Sequence, residues 1–442
     1  MTAAELSREL GVSQATISRA IAASTGILRI GETRGARYAW SQELHKGDSR
    51  WNLYIIDEKG RPSTAGVLHS LSKGEFFLDS DFGGDNFAYL LTGDPHPRLF
   101  PDLPWFLDDM RPQGYLGRLL AQVHGPSLGI GTNPEHWSIG ESLRAILEFG
   151  SDTPGNFVLG GKAIDQFLNP EESRKFIDEP DIVESYDLIA RNISEGGEPP
   201  GSSAGGEQPK FTACVRRSQD LYTHVIVKFS GSRQTDAGRR WAALLRAESI
   251  ASEELDRIGL PVSRARLLDT DNRVYLEVER FDRVGRRGRK GVLTLRAILA
   301  GQGERLDRTW TKSIQPLIKR QWLSEGDANR IATLEHFGQL IGNTDMHPGN
   351  LGLYLEPQLP LRLCPSYDML PMAYAPSRFG DLPELPIQRK IPRPEEVPSW
   401  RPAAEAALRF WQRLAGETIA DPGFSSIAAR NREIVDSVLQ SS

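Results

Sequence analysis

The chain has 442 residues, 39% of them hydrophobic and 25% charged, with a formal net charge of −5. That length is too great for one hydrophobic core and predicts about two to four domains or lobes. The acidic balance excludes a general coat of nucleic-acid affinity, so any DNA contact must be local. No apolar run is long enough to span a bilayer, and the opening MTAAELSREL lacks the apolar stretch of a secretory leader. Cys214 and Cys364 lie far apart, with no CxxC or Cys/His cluster. The expectation is a cytoplasmic protein with no membrane partner, disulfide framework or zinc site.

Residues 1–45 read as a winged helix-turn-helix. AAELSREL sets Ala3, Leu6 and Leu10 on one helical face. After Gly11, Ser13 is a suitable N-cap for a second helix, QATISRAIAA, with Ala15, Ile17, Ile21 and Ala22 inward. The short Gly-containing turn between two helices is the motif's signature. ILRIGETRGARYAW then alternates around a glycine-rich turn, as a wing hairpin would. On the second helix Gln14, Thr16, Ser18 and Arg19 face outward and are types suited to base edges and phosphates. Five arginines against four glutamates make the module's field weak. A plainer reading is that it packs on the rest of the chain or pairs with a partner.

The signal from 51 to 200 is poor. A helix is expected from Gly114 onward, and GNFVLGG reads as a strand edged by glycines. SEGGEPPGSSAGGEQPK is a loop by composition. Beyond it FTACVRR, THVIVKF and RVYLEVERF have strand character, with a helix at about 237–258 closed by Gly259. From residue 282 on helices dominate: LTLRAILAG, WTKSIQPLIKRQWL, ANRIATLEHFGQLIG and AAEAALRFWQRLA. A hairpin is expected between Leu351 and Leu363, turning at Glu356-Pro357-Gln358.

Three groups carry chemistry. In SSAGGEQPK, Gly205 and Gly206 let backbone N–H groups approach an anion, although the Walker spacing is missing and many such loops are plain linkers. Lys228 sits inside an apolar strand and needs a carboxylate or a phosphate, unless it snorkels from an edge; Glu248 is a candidate partner. NTDMHPGN places Asp345 and Asn350 five apart, the D-x-x-x-x-N spacing of a kinase catalytic loop. The hairpin after Asn350 returns Asp368 toward it, where a second oxygen ligand would suit an open Mg²⁺ shell. Each of these polar residues could alternatively cap a turn.

Taken together, the motifs resemble the HipA-like serine/threonine kinase family, toxins of bacterial toxin–antitoxin modules. They are RPQGYLGR at 111–118, SAGGEQPK at 203–210, VIVKF, VERFDR at 278–283, NTDMHPGN at 343–350 and YDML at 367–370. The resemblance runs from about Arg111 to the C-terminus. It implies an α+β, two-lobed, protein-kinase-like fold. Residues 50–200 would form an N-terminal subdomain, 201–282 the small lobe, and 283–442 a helical large lobe. It implies ATP and Mg²⁺ as cofactors and a protein substrate. Asp345 would be the catalytic base, and Asn350 and Asp368 would bind the metal. The nucleotide would meet Gly205, Gly206, Glu207, Gln208, Pro209, Lys210, Lys228, Glu279, Arg280, Phe281, His347, Asn350, Tyr367 and Asp368. Ser203 would be the autophosphorylation site. An antitoxin and a second copy of the chain are further partners the resemblance allows. The fused N-terminal module, with DNA as its partner, is not part of the common kinase core.

Three other functions use the same residues: a DNA-binding regulator with a catalytically silent nucleotide-binding kinase fold, a DNA-acting nuclease using the carboxylates and Mg²⁺, and a small-molecule kinase. The nuclease reading leaves Lys228 and the glycine loop without a role.

Overall fold

The computed structural model describes the chain except residues 25, 32–35, 80–90, 92–98, 170–175, 196–207, 308, 378, 418–420 and 442. Ser203, Gly205, Gly206 and Glu207 therefore lie outside the described residues. The chain divides into two compact units. The first comprises 1–57, 61–113 and 117–170; the second comprises 58–60, 114–116 and 171–442.

The first unit opens with α1 (Ala3–Leu10) and α2 (Gln14–Ala22). Thr2 and Glu5 form a reciprocal capping box on α1, and Ser13 caps α2 by accepting from the Thr16 N–H. The antiparallel pair β1 (Ile27–Ile30) and β2 (Arg37–Trp40) follows. Of α2, only Ile17 is buried. Leu10, Ala15 and Ala22, expected inward, are exposed, because two short helices and one hairpin offer too little surface to cover a whole apolar stripe. Gln14, Thr16, Ser18 and Arg19 are exposed, as the pattern predicts.

The poorly signalled middle region holds a five-stranded sheet. It is built from β3 (Arg50–Ile56), β4 (Pro62–Ser70), β5 (Phe76–Asp79), β6 (Leu99–Phe100) and β7 (Phe157–Leu159), in the order β6-β5-β4-β3-β7. The helices are α3 (Gly114–Leu128), whose first three residues count with the second unit, α4 (Ile139–Phe149) and α5 (Gly161–Leu168). Ala163, Ile164 and Phe167 of α5 pack on Ile56 and Val158.

In the second unit a five-stranded sheet runs β11-β12-β10-β9-β8. Its strands are β8 (Ile177–Asp178), β9 (Lys210–Ser218), β10 (Leu221–Phe229), β11 (Ala265–Asp269) and β12 (Val274–Glu279). Only the β8–β9 pairing is parallel. α6 (Ile182–Glu195) covers one face, packing Ile182, Tyr186 and Ala190 on Val225, Val227 and Phe229. α7 (Asp236–Arg257) covers the other, packing Ala242 and Leu245 on Val274, Leu276 and Val278. Because strand side chains alternate, Val227 and Phe229 go to α6 and Lys228 goes to α7. The β10–α7 turn closes over Gly238: a Cβ there would stand 1.9 Å from the Ser232 carbonyl oxygen, so only glycine fits.

The helical part follows a short pair, β13 (Arg283–Val284) and β14 (Gly288–Arg289). β15 (Val292–Thr294) leads into α8 (Leu295–Gly301). The expected single helix near 310 is two pieces, α9 (Trp310–Ser313) and α10 (Gln315–Lys319), broken just ahead of Pro316. α11 (Glu325–Ile341) ends at Gly342 with φ 75° and runs into NTDMHPGN. β16 (Gly352–Tyr354) pairs with β15, and its return strand is held by Tyr354 N–H to the Arg362 carbonyl and Cys364 N–H to the Gly352 carbonyl, 2.9 and 3.0 Å. α12 (Val397–Gly416) and α13 (Pro422–Leu439) close the fold. No helix among the described residues is long and apolar enough to cross a membrane.

Candidate active site

The alternation that turns Lys228 toward α7 buries its ammonium against Glu248, to which it donates a hydrogen bond. The same Nζ lies 2.5 Å from Asp368 Oδ1. Lys228 and Lys210 face each other across the β9–β10 ladder. Burial pulls the Lys228 ammonium down, but Asp368 and Glu248 outweigh it and hold it above its ordinary range. Burial also pushes Asp368 up, yet the charges of Lys228, Lys210 and His347 reverse that and keep it below the usual carboxylate range. Glu248 goes the other way: burial raises it and Asp368 adds to the rise, against Lys228. One buried cation thus serves two carboxylates, whose pKa values move in opposite directions.

The loop after α11 is organised by its own side chains. Asn343 Oδ1 accepts from the Asp345 N–H at 3.0 Å, an Asx turn, while its Nδ2 donates to the Asp368 carbonyl at 3.2 Å. Asn350 Nδ2 donates to the Asp345 carbonyl at 2.7 Å and stands 3.5 Å from Asp345 Oδ2. His347 caps the short turn Pro348–Asn350 by accepting from the Gly349 N–H at Nδ1, 3.0 Å, and its Nε2 is 3.8 Å from Asp345 Oδ1. Trp310 Nε1 holds the His347 carbonyl at 3.0 Å, and Tyr367 Oη donates to the Gly349 carbonyl at 3.1 Å. Burial raises the Asp345 carboxyl, and Asp368 adds to this while His347 and Lys210 oppose it. Asp368 itself adopts φ 54°, a left-handed conformation uncommon outside glycine and concentrated at functional sites.

The structure brings Lys210, Lys228, Asp345, His347, Asn350, Tyr367 and Asp368 together. Phe281 joins them, its ring 5.7 Å from Tyr367. Glu279 and Arg280 lie beside it, but their main-chain N–H groups are taken by the Arg264 and His224 carbonyls. Gln208 and Pro209 are buried just ahead of β9, and Gln208 Nε2 has no hydrogen-bond partner among the described residues. Sequence reasoning gave Asn343 no role beyond capping a turn, yet it links the Asp345 loop to Asp368. Its position right after a helix-ending glycine, two residues before an aspartate, was the available signal. Trp310 carried none.

The donor set fits a hard divalent cation. Asn350 uses its amide nitrogen on Asp345, and its amide oxygen accepts no hydrogen bond among the described residues. Asp368 gives Oδ1 to Lys228. An amide oxygen and one carboxylate are an incomplete shell of the sort Mg²⁺ fills with water and phosphate oxygens. Asn350 and Asp368 would hold it, and it would supply charge neutralisation to a phosphate chain. No group of three or more His, Cys, Asp or Glu suited to a metal forms among the described residues.

Residues 202–440 match the family model of the HipA-like C-terminal domain, and residues 47–168 that of the YjjJ-like toxin, middle domain. The chain belongs to the HipA-like toxin family. It is similar to Toxin YjjJ of Escherichia coli (strain K12), 33% identical over 431 residues, across 97% of this chain and 93% of that one. A solved HipA from Shewanella oneidensis MR-1, in complex with HipB and operator DNA, matches with a TM-score of 0.56 at 15% identity. That match covers 88% of this chain and 99% of that one. The fold is thus the expected α+β, two-lobed, protein-kinase-like HipA type. Residues 1–46 lie outside both matched family segments.

Proposed function

We propose that this HipA-like toxin is an ATP- and Mg²⁺-dependent serine/threonine protein kinase. The observation that carries the reading is the convergence of Lys228, Asp345, Asn350 and Asp368 from three separate stretches of the chain. Phosphoryl transfer needs little covalent chemistry from a protein, only positioning and charge neutralisation. Lys228 and Lys210 would hold phosphate oxygens. Asp345 would orient the acceptor hydroxyl and take its proton. Asn343 would fix the loop relative to Asp368. Ser203 is the proposed autophosphorylation site, on the family resemblance alone.

The N-terminal module is proposed to bind DNA through Gln14, Thr16, Ser18 and Arg19, which α2 presents to solvent. Operator DNA and an antitoxin are the partners this suggests, in keeping with the complex in which the Shewanella HipA was solved. Calorimetry with ATP and Mg²⁺ beside a turnover assay tests the kinase reading against a silent nucleotide-binding regulator. Binding with transfer to protein supports the kinase; binding without transfer supports the regulator. Plasmid nicking that needs Asp345 and no ATP would support the nuclease.

A further inference from the structure

Glu248 reaches Lys228 with one oxygen only. Its other oxygen, Oε2, is buried and has no hydrogen-bond partner among the described residues. Local bonds therefore do not fix the glutamate; the placement of α7 does. That helix carries two more buried charges, Arg240 and Glu254, both fully shielded from solvent. Neither faces the candidate site, and the mechanism above uses neither.

Each is tied to the C-terminal helices. Near the start of α7, Arg240 Nε donates to Asp421 Oδ2 at 2.5 Å, and its Nη1 donates to the Tyr374 and Pro383 carbonyls at 3.1 and 3.0 Å. Asp421 is the N-cap of α13. Near the end of α7, Glu254 accepts from Arg409 Nε at 2.8 Å and from Arg413 Nη1 at 3.0 Å, both on α12. α12 is docked in turn on α11, with Trp411 Nε1 donating to the Leu340 carbonyl at 3.0 Å. α11 runs directly into the loop that carries Asp345.

We infer that Arg240 and Glu254 are positioning residues that clamp α7 at both ends and thereby hold Glu248 against Lys228. Besides the Phe281–Tyr367 ring contact and the Val262–Ser366 bridge, two charge-anchored joints link the halves of the candidate site. One joint is the Lys228–Asp368 contact. The other runs from α7 through α12 and α11 to the Asp345 loop. Buried, hydrogen-bonded charges are suited to this: losing one partner leaves the other uncompensated, so α7 has one strongly preferred seat. On this inference the Lys228–Glu248 pair is set by the C-terminal helices and is formed before nucleotide arrives.

The kinase reading enters only one of the two readouts, so the failures are distinguishable. In the full chain, Arg409→Gln with Arg413→Gln removes both α12 cations while leaving Glu254, whose one remaining cation among the described residues is Arg257 on its own helix, Nη1 at 3.6 Å. Both arginine side chains are about a third exposed, which favours a folded variant. The first readout is the labelling rate of Lys228 by an amine-reactive reagent, followed by mass spectrometry alongside hydrogen exchange across 241–250. The variant should label about tenfold faster and lose protection in α7, and Arg409→Lys with Arg413→Lys should restore both. The second readout is phosphate transfer, where kcat should fall about tenfold with little change in the KM for the acceptor. A folded Gln variant with unchanged Lys228 labelling and unchanged α7 exchange overturns the clamp. Should the double variant not fold, Arg413→Gln alone gives the same comparison. Altered labelling in a protein without any transfer would uphold the clamp and count against the kinase reading.

Discussion

Lys228 Nζ and Asp368 Oδ1 are in contact at 2.5 Å, although 140 residues separate them. A lysine proposed for phosphate and a carboxylate proposed for metal thus neutralise each other, with Glu248 as the third member. The same charges that would meet ATP and Mg²⁺ also hold the two lobes' facing elements together.

Replacing Lys228 with Met should therefore act twice. It leaves the buried Glu248 carboxylate and the partly buried Asp368 carboxylate side by side without their cation, a loss of about 3 kcal/mol in stability. It should also lower phosphate transfer about 100-fold or more. Denaturant unfolding and turnover on the same preparation check both effects.

Acid sensitivity should trace to Glu148 in the first unit. It accepts from His45 at 2.9 Å, from Lys46 at 2.5 Å, and from Lys162. Burial alone would raise its carboxyl, but Lys162, Lys46 and His45 together lower it to about 2. A folded-state value below the unfolded one gives stability that is present above about pH 4.5 and lost as pH falls toward about 2. Both lysines are largely exposed, so the contribution is about 2 kcal/mol at neutral pH. Thermal melts of Glu148→Gln between pH 7 and pH 3 should show a lower starting stability and a flatter acid decline.

Gly238→Ala should be severely destabilising, by about 3 kcal/mol or more, since its Cβ would overlap the Ser232 carbonyl. A melting temperature within a degree of the parent would contradict the packing described for the β10–α7 turn.

If α2 reads DNA, Arg19→Ala should weaken binding to a DNA fragment from upstream of the protein's own gene and reduce the salt slope by about 1. Fluorescence anisotropy over a salt series measures this, and unchanged affinity after removal of residues 1–45 would rule out the module as the contact.

Much of the candidate site is legible in the sequence because its signals are local. Lys228 stands out against Val225, Ile226, Val227 and Phe229, and Asp345 and Asn350 carry a fixed spacing. For Asn343 only the turn-capping role was legible, since a cap and a cross-link use the same residue type, and only the fold places the Asp368 carbonyl beside it. α6 was missed because its apolar stripe of Ile182, Tyr186 and Ala190 is diluted by charged neighbours and follows a Pro/Glu-rich turn. β4 was missed for a different reason. Ser63, Thr64, Gly66 and His69 break the alternation of a strand that is half exposed. The inward face expected of α1 and α2 was overdrawn, because periodicity fixes which side is apolar but not how much partner surface exists to cover it.

The central claim is that Asp345 serves phosphate transfer from ATP. The most direct measurement is transfer of the labelled γ-phosphate to protein by the wild-type chain and by Asp345→Asn, with folding of both checked by circular dichroism. The account predicts transfer that requires ATP and Mg²⁺ in the wild type, and its loss in a variant that remains folded and still binds ATP. Equal transfer by Asp345→Asn, or none by the wild type with bound nucleotide across a whole-cell lysate of acceptors, would contradict it.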